Sequence, residues 1–369
     1  MRSYTDSEFR ADGPLTIGLP GTIVPPFEAI AGNARRSEAA GASAIWFPDH
    51  LMGFWPQSLW TPDVTPLAAF QPNPHAFFDP FVAMAAAGAA TSTVQLGTAV
   101  TQPLSRHPAH LAQALLTLSH QTHGRAVLGL GTGEAENLTP YGVSFERAAG
   151  RVAEALAIIR LLWRAAEPVS FDGDHWQLRD AVLGLGAAPG APLPPVWLAA
   201  HRPRMLRLTG AEADGWLPIK MAPARYAQAL AIVRGTASAA GRDPEAVTPA
   251  AWGFTVVDER QDVVDRLLEH PLIRGVCLMF QDNGFRDYIP SRWSREDTLA
   301  AIGRIPPELV HEHLFAGTPD GIVAQLRDLG AAGMRHAVLW NITFLADPAL
   351  AASSFSLLAK VIAAVAPRP

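Results

Sequence analysis

Three short stretches carry residue types that can do chemistry. "FPDH" ends an apolar run with Asp49 and His50. An imidazole beside an acid can give or take a proton near neutral pH. "AVLGLGTGEAEN", Ala126 to Asn137, is an apolar run, then Gly129, Gly131 and Gly133, then two acids headed by Glu134. Glu134 stands where a G-x-G-x-x-G dinucleotide fingerprint needs its last glycine, so a phosphate turn of that type is disfavoured. Two readings remain. The stretch is a strand with small residues where neighbours crowd, or a strand end whose glycines admit a flat ring and whose Glu134 faces it. "AAHRPR", Ala199 to Arg204, closes a third run and opens a helix. Backbone N–H groups there, with Arg202 and Arg204, suit a phosphate. A plain helix start with solvated arginines fits equally.

No metal is expected. The pairs His107 and His110, His120 and His123, and His311 and His313 lack the H-E-x-x-H pattern, and Cys277 is the only cysteine. A G-x-S-x-G nucleophile elbow is absent.

Stepping outward, these stretches need strands to hold them. Eight apolar runs alternate with helical patterns: 14–20, 43–50, 94–101, 125–133, 195–200, 214–219, 250–257 and 336–342. Continuous apolar strands, each followed by a helix, imply a parallel sheet buried on both faces. Eight such units imply an α/β fold of the closed (β/α)8 TIM-barrel type, with chemistry at the C-terminal strand ends. Asp79 and Pro80 read as N-cap and first position of one helix. No linker divides the chain, so residues 1–369 read as a single domain. Two insertions exceed ordinary loops, about 166–194 and 259–315. The first contains "VSFDGDHWQLRDA", which alternates like a small hairpin.

Composition excludes several function classes. Of 369 residues 49% are hydrophobic, and the formal net charge is −5. With no basic cluster, nucleic-acid binding is not expected. One cysteine permits no internal disulfide and suits a reducing compartment. The N-terminal "MRSYTDSEFRADG" is polar and unlike a secretory signal. No uncharged apolar stretch is expected to reach the ~18 residues of a membrane span, and "LLAKVIAAVAP" reads as an amphipathic helix. The expectation is a cytoplasmic protein with no membrane span.

These strand ends resemble the luciferase-like superfamily, closest to its branch using the deazaflavin coenzyme F420. The carrying motifs are "GASAIWFPDH", "VQLGTAVTQPLSRHPAHLAQALLTLSHQTHGRAVLGLGTGEAEN", "FDGDHWQL", "WLAAHRPRMLRLTGAEADGWLP" and "FAGTPDGIVAQLRDLGAAGMRHAVL". The early motifs resemble the F420-dependent glucose-6-phosphate dehydrogenases. Later ones, including "AAGRDPEAVTPAA", are more similar to the phthiodiolone-type ketoreductases. The resemblance implies catalytic roles for His50, as proton donor and acceptor, and Glu134, as the acid near the reacting carbon. It implies a coenzyme site at Asp49, Ala99, Val100, Gly131, Thr132, Gly133, Ala199, Ala200, His201 and Arg202, with a cis Ala99–Val100 peptide bracing the ring. A homodimer acting on a small molecule follows from the same resemblance.

Departures from the pattern bear on substrate. "HEHLFAG" places Glu312 where the sugar-phosphate enzymes have an arginine, which disfavours glucose 6-phosphate. "HLMGFWPQSLWTP" supplies Met52, Phe54 and Trp55 beside the proposed ring site, and Lys220 lies near a basic position. These form the expected substrate pocket, suited to an apolar or extended carbonyl or alcohol. The expected chemistry is hydride transfer between the deazaflavin and that substrate. An FMN-dependent monooxygenase and a non-catalytic coenzyme binder are the competing readings.

Overall fold

The computed structural model describes residues 14–281 and 284–366. The polar N-terminal stretch and its reading as no secretory signal lie outside the described residues.

Among the described residues eleven strands run in chain order: β1 Thr16–Pro20, β2 Ala44–Phe47, β3 Gln95–Thr98, β4 Ala126–Leu130, β5 Val169–Asp172, β6 Gln177–Ala181, β7 Val196–Leu198, β8 Gly215–Trp216, β9 Thr248–Val257, β10 Phe315–Gly317 and β11 His336–Asn341. Eight of them pair in parallel around a closed ring, β1-β2-β3-β4-β7-β8-β9-β11 and back to β1. This is the expected (β/α)8 barrel. The strands of "AIWF" and "AVLGL" are buried at every position, as continuous apolar strands covered on both faces must be. Inside the ring, Trp46 and Trp197 lie 5.0 Å apart, and Trp46 Nε1 donates to His336 Nε2 at 3.0 Å. That aromatic layer is the floor beneath the C-terminal strand ends.

The helix Pro80–Ala90 starts as expected: Asp79 accepts from the N–H groups of Phe81 and Val82. The first insertion contains the antiparallel β5–β6 hairpin. Glu154 accepts the N–H groups of Asp174 and His175 at 2.9 Å each and fixes its turn.

The second insertion is largely helical: Gln261–Leu268, Pro271–Gly275, Arg295–Gly303 and Pro307–His313. Its side chains form their own cluster with Leu59, Trp60 and Phe254. Strand β10 ends it by extending the long β9 at Thr255–Val257, a pairing the sequence pattern did not announce. The insertion ties down the loop after β2. Trp55 Nε1 donates to the Leu272 carbonyl at 2.7 Å, and Tyr288 donates to the Phe54 carbonyl at 2.8 Å.

The expectation that no uncharged apolar stretch reaches membrane-span length stands, since the longest apolar helix among the described residues carries Lys360. Pro348–Val365 has 18 residues with mean hydropathy 1.7, long and apolar enough to cross a membrane by length and composition. Alanines and serines, not a run of large apolar residues, give it that length. Its large side chains Leu357, Leu358, Val361 and Ile362 are buried in the main barrel cluster.

Candidate active site

Strand β2 delivers Asp49 and His50 to the C-terminal rim. Asp49 is fully committed: Arg106 binds it through Nε at 2.7 Å and a terminal nitrogen at 2.8 Å, and Thr101 Oγ1 donates at 2.5 Å. Arg106 also reaches Asp79 at 2.8 Å. Asp49 therefore anchors the end of β2 to the loop after β3 and to a helix start, while still lining the cavity. Arg106, the partner that fixes it, was not among the expected site residues; its signal is "LSRHP" just after the third strand.

His50 sits between two carboxylates. Its Nε2 lies 3.5 Å from Glu134 Oε2, and its Nδ1 lies 3.4 Å from Glu136 Oε1. Phe54 packs edge-on against the ring with centroids 4.7 Å apart. Burial opposes charge on the imidazole, but Glu134 and then Glu136 overcome it and raise its pKa to about 9. Burial pushes Glu136 up to about 8 against the opposing hydrogen bond to His50. One donor atom from each of His50, Glu134 and Glu136 lies within 4.8 Å of the others, a spacing that a metal ion would also fit, although the sequence pattern led to none being expected. The cluster is read as a proton site.

The backbone after β4 explains how two acids two residues apart reach opposite sides of one ring. Glu134 is extended, and Ala135–Asn137 then forms a single 3-10 turn. Glu134 lines the cavity, whereas Glu136 is buried behind it. Asn137 Oδ1 accepts from the N–H groups of Leu51 at 2.7 Å and Met52 at 3.0 Å, joining this turn to the loop after β2. Glu136 and Asn137 were not expected in the site; their signal was the second acid of "GEAEN".

The glycines of β4 answer to neighbours first. A Cβ at Gly129 would lie 1.8 Å from the Thr98 carbonyl oxygen, and one at Gly131 would lie 2.7 Å from a Val100 methyl. Gly133 has φ +73°, the left-handed region that favours glycine. Crowding thus accounts for Gly129, while Gly131, Thr132 and Gly133 line the cavity. The Ala99–Val100 peptide is cis, and both residues line the same wall.

The opposite side is built by β7, β8 and the second insertion. His201 Nε2 accepts the Ile219 N–H at 2.9 Å, which favours the neutral ring. His201 is exposed into the cavity. Desolvation, with Arg225, His313 and Arg202, holds its pKa down at about 4. Lys220 is 6% exposed and donates to the carbonyls of His311 at 2.7 Å and Glu312 at 3.0 Å. Burial lowers it to about 8. Glu312 itself pairs with Arg225 at 3.3 Å. Two helices, Ala148–Arg164 and Pro203–Glu212, begin at this cavity without a side-chain cap.

Between the two sides lies a cavity of about 1310 Å³. Of the expected pocket residues Phe54 and Lys220 line it; Met52 and Trp55 do not. Met52 packs with Ala135 and Ile289, and Trp55 turns to Leu272. Ala200 also faces away, its carbonyl accepting from Trp216 Nε1 at 2.9 Å, while Ala199, His201 and Arg202 line the cavity. Trp252, Phe254, Phe280 and Trp340 add an aromatic wall that the residue pattern did not locate.

A closed barrel with a proton-bearing cluster at its C-terminal rim defines a TIM-barrel oxidoreductase site of the luciferase-like type. A family model described as luciferase-like monooxygenase matches residues 9–336, and the chain belongs to that family. It is 35% identical over 362 residues to a phthiodiolone/phenolphthiodiolone dimycocerosates ketoreductase of Mycobacterium tuberculosis, covering 92% of this chain and 94% of the relative. It is 34% identical over 237 residues to an F420-dependent hydroxymycolic acid dehydrogenase of the same organism, covering 63% of this chain and 60% of the relative. Among solved structures, an F420-dependent secondary alcohol dehydrogenase in complex with an F420-acetone adduct has the same fold. Its TM-score is 0.77 at 23% identity, covering 96% of this chain and 100% of that one.

Proposed function

We propose that this protein is an F420-dependent oxidoreductase that interconverts a ketone and a secondary alcohol on an apolar or extended substrate. The observation that carries the reading is His50, an imidazole held between Glu134 and Glu136 at the wall of the large cavity. When bound, the deazaflavin supplies a two-electron hydride carrier; the chain supplies position and protons.

The donor set fits that coenzyme. Small residues Ala99, Gly131 and Ala199 form one wall, shaped for a flat ring. Two uncapped helix starts with Arg202 and Arg204 beside them suit its phosphate. Asp49, locked by Arg106, holds the rim rigid rather than exchanging protons. His50 protonates the oxygen of a ketone during reduction and takes the alcohol proton in the reverse direction. Glu134 faces Nε2 and keeps that proton available. Phe54, Trp252, Phe254 and Phe280 exclude water and favour apolar chains. The named relatives that act on dimycocerosates and on hydroxymycolic acid support a substrate of that extended kind. A homodimer in the reducing cytoplasm belongs to the same reading; Cys277 is buried and free.

Titration of the purified protein with oxidised F420 and, separately, with FMN, followed by fluorescence, tests this. Tight binding of F420 alone is expected. Preference for FMN would move the chemistry to oxygen activation, and binding of neither would remove the redox reading.

A further inference from the structure

We propose that Glu136 is the proton store of this site and acts through His50, giving its proton to Nδ1 as Nε2 gives one to the substrate oxygen. The inference rests on the hydride-transfer reading above.

Glu136 is 3% exposed and does not line the cavity, so it cannot touch substrate itself. Its Oε1 lies 3.4 Å from Nδ1, whereas the contact of His50 with Glu134 is made by Nε2. Asn137 makes the arrangement specific. Its Oδ1 is held by two backbone N–H groups, so the amide cannot flip without losing both. Its Nδ2 therefore faces Nδ1, at 2.9 Å. A donor there favours a neutral ring with bare Nδ1 and the proton on Nε2, beside Glu134. Such a ring can donate to an alkoxide, but alone it would be left as a buried imidazolate, which desolvation forbids.

A protonated Glu136 removes that obstacle. As the carbonyl carbon gains the hydride, its oxygen takes the Nε2 proton and Nδ1 takes the Glu136 proton. The products are the alcohol, a neutral His50 protonated at Nδ1, and a Glu136 carboxylate. One hydride and one proton enter the substrate; the negative charge left on Glu136 is balanced by the negative charge that leaves the coenzyme with the hydride. The Met52 carbonyl, 3.1 Å from Nδ1, is placed to accept the new N–H. Alcohol oxidation runs every transfer backwards.

The groups facing Glu136 suit a store. Burial and then Glu134 disfavour its charge, while His50 opposes them. Tyr141 and Tyr288 are the other titratable neighbours; the Tyr288 hydroxyl is committed to the Phe54 carbonyl at 2.8 Å. A proton shared between His50 and Glu136 accounts for both groups being raised, and they titrate as a pair.

Glu136→Gln keeps the shape and removes the exchangeable proton. Two readouts follow: histidine ¹⁵N NMR of the coenzyme-free protein across neutral and alkaline pH, and steady-state kinetics. Expected are a fall in the pH at which the His50 ring charges, and a loss of about 10²-fold in kcat with KM moving less than about threefold. Glu136→Asp should restore part of kcat. Wild-type kcat and pH profile in Glu136→Gln, with His50→Gln inactive, would overturn the relay and leave the hydride-transfer reading standing. An active His50→Gln would overturn that reading instead. The wild-type ring alone gives a further check. Titration in one step near the ordinary histidine value, without a second step coupled to a carboxyl, contradicts the proposal whether or not the variants fold.

Discussion

Two of the histidines that line the cavity are treated in opposite ways. His50 is flanked by Glu134 and Glu136 and is raised to about 9. His201 accepts a backbone N–H, stands near Arg225 and Arg202, and is lowered to about 4. The first wall gathers two carboxyl groups around an imidazole and so holds a proton. The second gathers cations around a neutral ring and so favours an anionic ligand. Identity as histidine decides neither role: at His50 the carboxylates overcome burial, whereas at His201 burial, helped by nearby cations, keeps the ring neutral. A coenzyme with an anionic tail and a proton-coupled reaction at its head needs one wall of each kind.

The largest expected effect breaks the first wall. His50→Ala should lower turnover by about 10²–10⁴-fold while leaving coenzyme affinity nearly unchanged, as steady-state assays and a binding titration would show. Unchanged turnover would remove His50 from the chemistry. Next comes the second wall. Arg202→Ala should weaken F420 binding by about 10- to 100-fold, the loss of one charge-assisted contact, with kcat at saturating coenzyme little changed. If affinity holds while kcat falls, the anion site is misplaced.

A smaller effect sharpens the contrast through stability. The raised His50 stabilises the fold fully below its ordinary 6.5, and that contribution is lost as pH rises toward about 9. The lowered His201 stabilises above 6.5, and its contribution is lost as pH falls toward about 4. Melting temperatures should therefore show a shallower alkaline slope in His50→Gln, where Glu136 still contributes, and a shallower acid slope in His201→Gln. Both variants flattening the same limb would show that the two walls do not differ. The smallest effect is Trp55→Phe. Trp55 does not line the cavity, so KM should be nearly constant while stability falls by about 1 kcal/mol with the lost Leu272 hydrogen bond.

Much of this geometry was legible in the chain. The eight barrel strands and the hairpin after the fourth barrel helix follow from continuous and alternating apolar patterns, which burial on two faces or one imposes. The placement of His50 and Glu134 follows from their position at strand ends. What escaped depends on where loops turn. A single 3-10 turn at Ala135–Asn137 sends Glu136 behind the imidazole, and no periodicity announces one turn. Trp55 and Met52 adjoin His50 in sequence, yet the second insertion draws both away from the cavity. The aromatic wall comes from β9, β11 and that insertion, far apart in the chain. Arg106, which fixes Asp49, escaped because it lies 57 residues on in the chain.

The most direct test is an anaerobic single turnover. Reduced F420 is mixed with the protein and a long-chain aliphatic ketone, and coenzyme absorbance is followed together with alcohol formed. The account predicts one coenzyme oxidised per alcohol, at a rate indifferent to oxygen and abolished in His50→Ala. Product that appears only with oxygen and reduced FMN would contradict it.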